Sequence, residues 1–165
     1  MVFNIVYKTK HLANNNNIKI KGRLIQYKTN HRGDYMTGYA GDIEKETLKN
    51  NYFRKVLYTG KYAQLVVMCL QPGEEINNEV HPKVDQFFRI EEGSAKFVFN
   101  KKEKHVIGNG GAIIVPAGTF HEVFNNSKTK KLKLYTIYSP PNHPPKTIHK
   151  TKADADKAEE EEHKH

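Results

Sequence analysis

The chain has 165 residues and a formal net charge of +9, with one cysteine and no tryptophan. That length suits one domain with tails and can bury a core without disulfides, which a lone cysteine cannot form within the chain. No stretch is long and apolar enough to span a membrane and residues 1–10 lack a signal-peptide run, so a soluble cytoplasmic protein with no membrane partner is expected.

The positive charge fits either an anion-binding surface or a lysine-rich solvated one. The lysines are scattered, from Lys8, Lys10, Lys19 and Lys21 to Lys128, Lys130, Lys131 and Lys133, and no stacking aromatics are interleaved among them. A solvated surface is therefore expected, and nucleic acid is not the expected partner. Cys69 lies in the apolar run Leu65-Val66-Val67-Met68-Cys69-Leu70 and reads as a small buried hydrophobe rather than a reactive thiol.

In chain order, residues 2–7 alternate weakly, as an edge strand would. Asn14 to Asn17 read as a loop and residues 18–27 as one further strand. Residues 42–50 suit one or two helical turns. From residue 61 onward, short β-type runs follow one another at 65–70, 86–91, 95–99, 104–107, 112–115, 121–124 and 132–138. Each ends in a turn signal such as Pro72-Gly73 or Pro116-Ala117-Gly118. Such spacing predicts an all-β sandwich or closed barrel. Pro144 and Pro145 predict irregular structure over 142–150. Thr151 with Asp154 then forms a capping-box pattern, opening a short, mostly exposed helix that frays over 159–165. His163 and His165 read as a solvated tail, and His105, among lysines, as surface. The expected organisation is an N-terminal extension (1–36), a barrel (37–141), and a Pro-containing segment with helix and charged tail (142–165).

Two segments carry the chemistry. Gly110, Pro116, Gly118, His121 and Asn125 stand in the order Gly-x5-Pro-x-Gly-x2-His-x3-Asn. Gly73, Glu79, His81, Gln86 and Gly93 form the other. Here the sequence resembles the cupin superfamily. Its second motif is matched at every position. Its first is matched at Gly73, His81 and Gly93, with Glu79 standing where the first His belongs and Gln86 where the Glu belongs. Further similarity to small cupins often labelled mannose-6-phosphate-isomerase-like rests on residues 79–90 and on residues 134–152, with His143 and His149 in the latter. It suggests that the tail packs back on the barrel.

The resemblance implies a double-stranded β-helix, or jelly-roll barrel, holding one divalent metal through His81, His121, Glu79 and Gln86. Iron, manganese, zinc and nickel all suit two imidazoles and a carboxylate. Glu79 and His81, two apart on an extended segment, share one side, as do Gln86, Phe88 and Ile90, whereas Asp85 and Arg89 face away. A one-residue slip would bring in Asp85 instead of Gln86. Glu79 is also the candidate general base. The implied function is an enzyme, isomerase-like or oxygenase-like, on a small polar or anionic metabolite. The alternative is a non-catalytic sugar-binding or structural module. The resemblance further implies a homodimer, with residues 1–36 as candidate exchanged strands.

Overall fold

A computed structural model describes the backbone at 17–20 and 23–26 and residues 38–162. The chain divides into two units, Met1–Tyr39 and Ala40–His165. In the first, β1 (Asn17–Ile20) and β2 (Arg23–Gln26) pair antiparallel, with Ile18 opposite Ile25. The single strand expected over 18–27 is thus two short ones, and Asn17 opens a strand rather than closing a loop. Gly22, a residue that weakens strand interiors, separates the two in sequence. The edge strand expected at 2–7 lies outside the described residues, as do His11, His31, His163 and His165.

The second unit begins with α1 (Ile43–Lys49), capped by Asp42, whose side chain accepts from the Lys45 N–H at 3.0 Å. Ten strands follow: β3 (Arg54–Thr59), β4 (Gln64–Leu70), β5 (Glu75–Glu79), β6 (Asp85–Glu92), β7 (Ser94–Phe99), β8 (Glu103–Gly108), β9 (Ala112–Val115), β10 (His121–Asn125), β11 (Leu132–Ser139) and β12 (Ile148–His149). They form two antiparallel sheets, ordered β12-β3-β4-β11-β6-β9 and β5-β10-β7-β8. Alternation sets the core: Val66, Met68, Phe88, Ile90 and Leu134 from the larger sheet bury against Ile76, Ala95, Phe97 and Val123 from the smaller. The rings of Phe88 and Phe97 meet edge to face at 5.2 Å across the gap.

This is the expected double-stranded β-helix with a short C-terminal helix, but the sheets do not close into a barrel. The larger sheet ends in β12, two residues long, and β9, four residues long. Such short edges offer too little backbone to carry a ladder round.

Three strands escaped the sequence pattern. β3 places a charged Arg54 at an inward position. β5 reads Glu-Ile-Asn-Asn-Glu. β12 lies just beyond Pro144 and Pro145, in the segment expected to be irregular, where it pairs with β3 and sets His149 opposite Arg54. The capping box stands as expected: the Thr151 N–H donates to Asp154 Oδ2 at 2.9 Å, and the Asp154 N–H to Thr151 Oγ1 at 3.2 Å. The helix it opens, α2 (Lys152–Glu162), runs through Glu159, which accepts from Arg54, to the last described residue. Cys69 is buried, and burial raises its thiol pKa, as befits an inert core residue. No helix of the described residues is long and apolar enough to cross a membrane.

Asn125, the last residue of the second motif, is a structural clamp. Its Nδ2 donates toward the carbonyls of Leu70, Gln71 and Lys130 at 3.2, 3.0 and 2.8 Å, and its Oδ1 accepts from the Ser127 N–H at 3.0 Å. Gly93 serves the same corner: at φ +89°, a Cβ there would lie 2.7 Å from the Lys131 carbonyl oxygen. Asn125→Ala leaves buried carbonyls without a donor and should lower stability by about 2–3 kcal/mol. Urea denaturation reads this directly, and an unchanged midpoint would show that the clamp is redundant.

Candidate metal centre

The site forms where β5 meets β10. Glu79 lies directly opposite His121 in the antiparallel ladder, and opposite residues project to the same face. Two residues further along, Val123 faces Ile76, so β5 spans three positions where β10 spans two. This bulge, at Asn77-Asn78, reverses the alternation that would otherwise set Glu79 on the opposite side from buried Ile76. His81 follows just beyond the strand. Its carbonyl accepts from the Gly118 N–H at 2.9 Å, tying the first motif to the Pro116-Ala117-Gly118 turn that leads into His121.

His121 is fully buried, and its Nδ1 lies 3.2 Å from the Thr119 carbonyl oxygen. A carbonyl can only accept, so Nδ1 carries the hydrogen and Nε2 is free to act as a ligand atom. That Nε2 lies 3.3 Å from Glu79 Oε1 and 3.1 Å from Gln86 Oε1. His81 Nε2 approaches Glu79 Oε1 at 3.4 Å. The ligand atoms of Glu79, His81 and His121 all lie within 4.8 Å of one another. Glu79 Oε1 and His81 Nε2 are buried without a hydrogen-bond partner of acceptable geometry. Burial alone would raise the Glu79 pKa, but without a metal N–H donation and charge from the His121 and His81 rings outweigh it and hold the carboxyl well below the usual range. Ligand atoms converging on one spot, two of them buried without partners, make a set that could hold a cation.

The structure decides between Gln86 and Asp85. Gln86 is fully buried beside His121 and donates through Nε2 to Thr136 Oγ1 at 3.2 Å. Asp85 is exposed and accepts from the Ala117 N–H at 2.9 Å, outside the centre. Arg89 points away and lies 3.7 Å from Glu91, and His105, on β8, approaches Glu103 at 2.6 Å, away from the centre.

Three residues near the centre had no role in the sequence reading. The Tyr138 ring stands edge-on to His81 at 5.7 Å and to His143 at 5.0 Å. Burial pushes its phenol pKa up. His143 is held by Gln64, whose Oε1 accepts from the His143 N–H at 2.9 Å and whose Nε2 donates to the His143 carbonyl at 2.7 Å. Arg54 is buried within β3. Tyr138 and Arg54 sat in the sequence as an ordinary strand residue and an ordinary surface cation, and nothing local marks either. A cavity of about 610 Å³ reaches Glu79 and His81 and is lined further by Arg54, Asn77, Asn142 and His143. The tail thus packs back over the centre, as the resemblance suggested.

Comparison with known proteins agrees with this fold. A family model described as a cupin domain matches residues 66–138. A protein of Acanthamoeba polyphaga mimivirus is 50% identical over 112 residues, covering 67% of this chain and 70% of the relative. The protein YrkC of Bacillus subtilis is 48% identical over 127 residues, covering 74% and 68%. Both are described only as uncharacterized. A crystal structure of a Bacillus halodurans protein superposes with a TM-score of 0.70 at 42% identity, covering 72% of this chain and 93% of that one. A Thermus thermophilus structure, at 21% identity and a TM-score of 0.54, shares the fold, covering 61% of this chain and 96% of its own.

Burial, joined by the Arg54 charge, depresses the His143 pKa from 6.5 to about 3. Between those values the unfolded chain takes up a proton that the folded one refuses, so stability falls as pH drops through that window. His143→Gln should flatten this fall, seen in urea midpoints at about pH 7 and about pH 4.5. An unchanged pH slope would contradict the assignment.

Proposed function

Because the chain belongs to the cupin superfamily, we propose that it holds one divalent transition metal through Glu79, His81 and His121 and receives a small polar or anionic metabolite in the adjoining cavity. The observation that carries this is the convergence of those three ligand atoms within 4.8 Å, two of them buried without hydrogen-bond partners. Two imidazoles and a carboxylate leave coordination positions open, and the cavity borders Glu79 and His81. When bound, the ion would supply Lewis-acid polarisation of a ligand oxygen or, as iron, redox chemistry. Thr119 fixes the His121 tautomer, and Gln86, whose Nε2 donates to Thr136, turns its amide oxygen toward His121 Nε2 from the larger sheet.

Glu79 was also a candidate general base for an isomerase-like reaction. Its depressed pKa suits holding charge rather than accepting a proton, so the ligand role is favoured. Two further titratable groups beside the centre are also poorly tuned for proton transfer near neutral pH. The Tyr138 phenol is shifted up and the His143 imidazole down to about 3. This favours a second reading, in which the metal orients a bound ligand without acid–base catalysis.

Elemental mass spectrometry of metal-loaded, dialysed protein tests the proposal, with His163→Ala/His165→Ala removing the tail imidazoles. One metal per chain is expected, lost in His81→Ala/His121→Ala. Iron would direct the search to oxygen chemistry, and zinc or manganese to Lewis-acid chemistry. No metal in the parent protein after reloading would leave a ligand-binding fold without a metal.

A further inference from the structure

The cavity has a second polar feature, Arg54, besides the Glu79–His81 edge. Arg54 lies on the inward face of β3, in line with Val56, at a position where strand alternation calls for a hydrophobe. Its side chain is 2% exposed. A buried guanidinium is costly unless its N–H groups are paired. Among the described residues that pairing is incomplete: one Nη1–H donates to Glu159 Oε1 at 3.1 Å, and the Nε–H is buried without a partner. The Phe53 ring, 5.8 Å from the guanidinium carbon, offers no acceptor in the plane of the fork. The group is therefore built to donate more hydrogen bonds than it makes.

We propose that Arg54 is the carboxylate-recognition group of this cavity and that Glu159 is its internal occupant, displaced when a small carboxylate-bearing ligand enters. This rests on reading the cavity as a ligand site. A guanidinium fork takes a carboxylate through two parallel N–H···O bonds, and Glu159 satisfies only one. Glu159 is also easily displaced. Its side chain is 41% exposed, and it sits on α2, where Ala155 is the one fully buried residue among those described. The occupant is thus a carboxylate from a weakly anchored terminal helix, standing where a better-fitting carboxylate can bind.

Charge supports an exchange rather than a simple addition. Besides Arg54 and Glu159, the acids facing the cavity are Glu79, Glu75 and Asp156, the last paired with Lys152 at 2.7 Å. An extra anion would meet an acidic wall. One that replaces Glu159 leaves the charge at Arg54 unchanged. Asn77, Asn78 and Asn142 also line the cavity that Arg54 shares with Glu79 and His81, so the rest of the ligand is polar. A neutral sugar would leave the fork unsatisfied.

Calorimetric titration of the metal-loaded protein with acetate and succinate, with succinamide as the uncharged control, tests this. The carboxylates are expected to bind and succinamide not. Glu159→Gln, which removes the internal competitor and keeps Arg54, should tighten succinate binding roughly tenfold. Arg54→Gln should abolish it, and Arg54→Lys should restore little, because an ammonium lacks the fork. A merely structural ion pair predicts the opposite for Glu159→Gln: lower stability and no gain in binding. Unchanged or weaker carboxylate binding in Glu159→Gln overturns the proposal, and so does wild-type binding in Arg54→Gln. If Arg54→Gln does not fold, the Glu159 variant decides alone. Metal content measured on the same samples separates the two readings. A metal-free protein whose succinate binding still needs Arg54 loses only the metal proposal. A metal-loaded one indifferent to Arg54 loses only this one.

Discussion

The extra residue in β5 between Ile76 and Glu79 is what the centre depends on. Without that bulge, Glu79 would point away from the sandwich, and His121, its partner in the ladder, would face no carboxylate. With it, a carboxylate, a buried imidazole and a second imidazole from the following turn meet inside the fold. The two asparagines at the bulge are exposed, which lets the strand distort there without disturbing the core.

Bringing these groups together is unfavourable in isolation. A buried carboxylate resists desolvation, and lone pairs facing one another repel. The fold holds them by hydrogen bonds outside the cluster: Thr119 to His121, Thr136 to Gln86, and Gly118 to the His81 backbone. The smaller sheet supplies Glu79 and His121, and the larger supplies Gln86, Thr136 and Tyr138. The contact of Phe88 with Phe97 keeps the two sheets in register behind the centre. The Asn125 clamp secures the far end of β10, whose first residue is His121. Over this frame the C-terminal segment forms a cover, pinned by Gln64 at His143 and by Arg54 at Glu159. That second pin occupies a group with unmet hydrogen-bonding capacity, so cover and ligand compete for one cation.

Much of this was legible in the sequence where periodicity and turn chemistry are local. The strands from β6 to β11, the capping box at Thr151 and the inward face Gln86–Phe88–Ile90 all follow from alternation or from a known hydrogen-bond pattern. His81 and His121 were marked by motif position, and their meeting with Glu79 was an expectation that the geometry meets. What could not be read was set by tertiary context. The polar strand β5 forms because β10 offers it a ladder. The two-residue β12 forms because β3 has a free edge. Arg54 looks like any surface cation until its strand is known to face inward. The failure of the sheets to close also depends on edge-strand length, which turn signals do not encode.

Anomalous diffraction from crystals of the manganese-loaded protein tests the central claim most directly, because it reports where the ion sits rather than how much is bound. A single strong peak in contact with Glu79 Oε1, His81 Nε2 and His121 Nε2 is the predicted result. A fully loaded crystal with its peak elsewhere, or with none at these three atoms, would contradict the account and leave the convergence of these side chains without a metal to explain it.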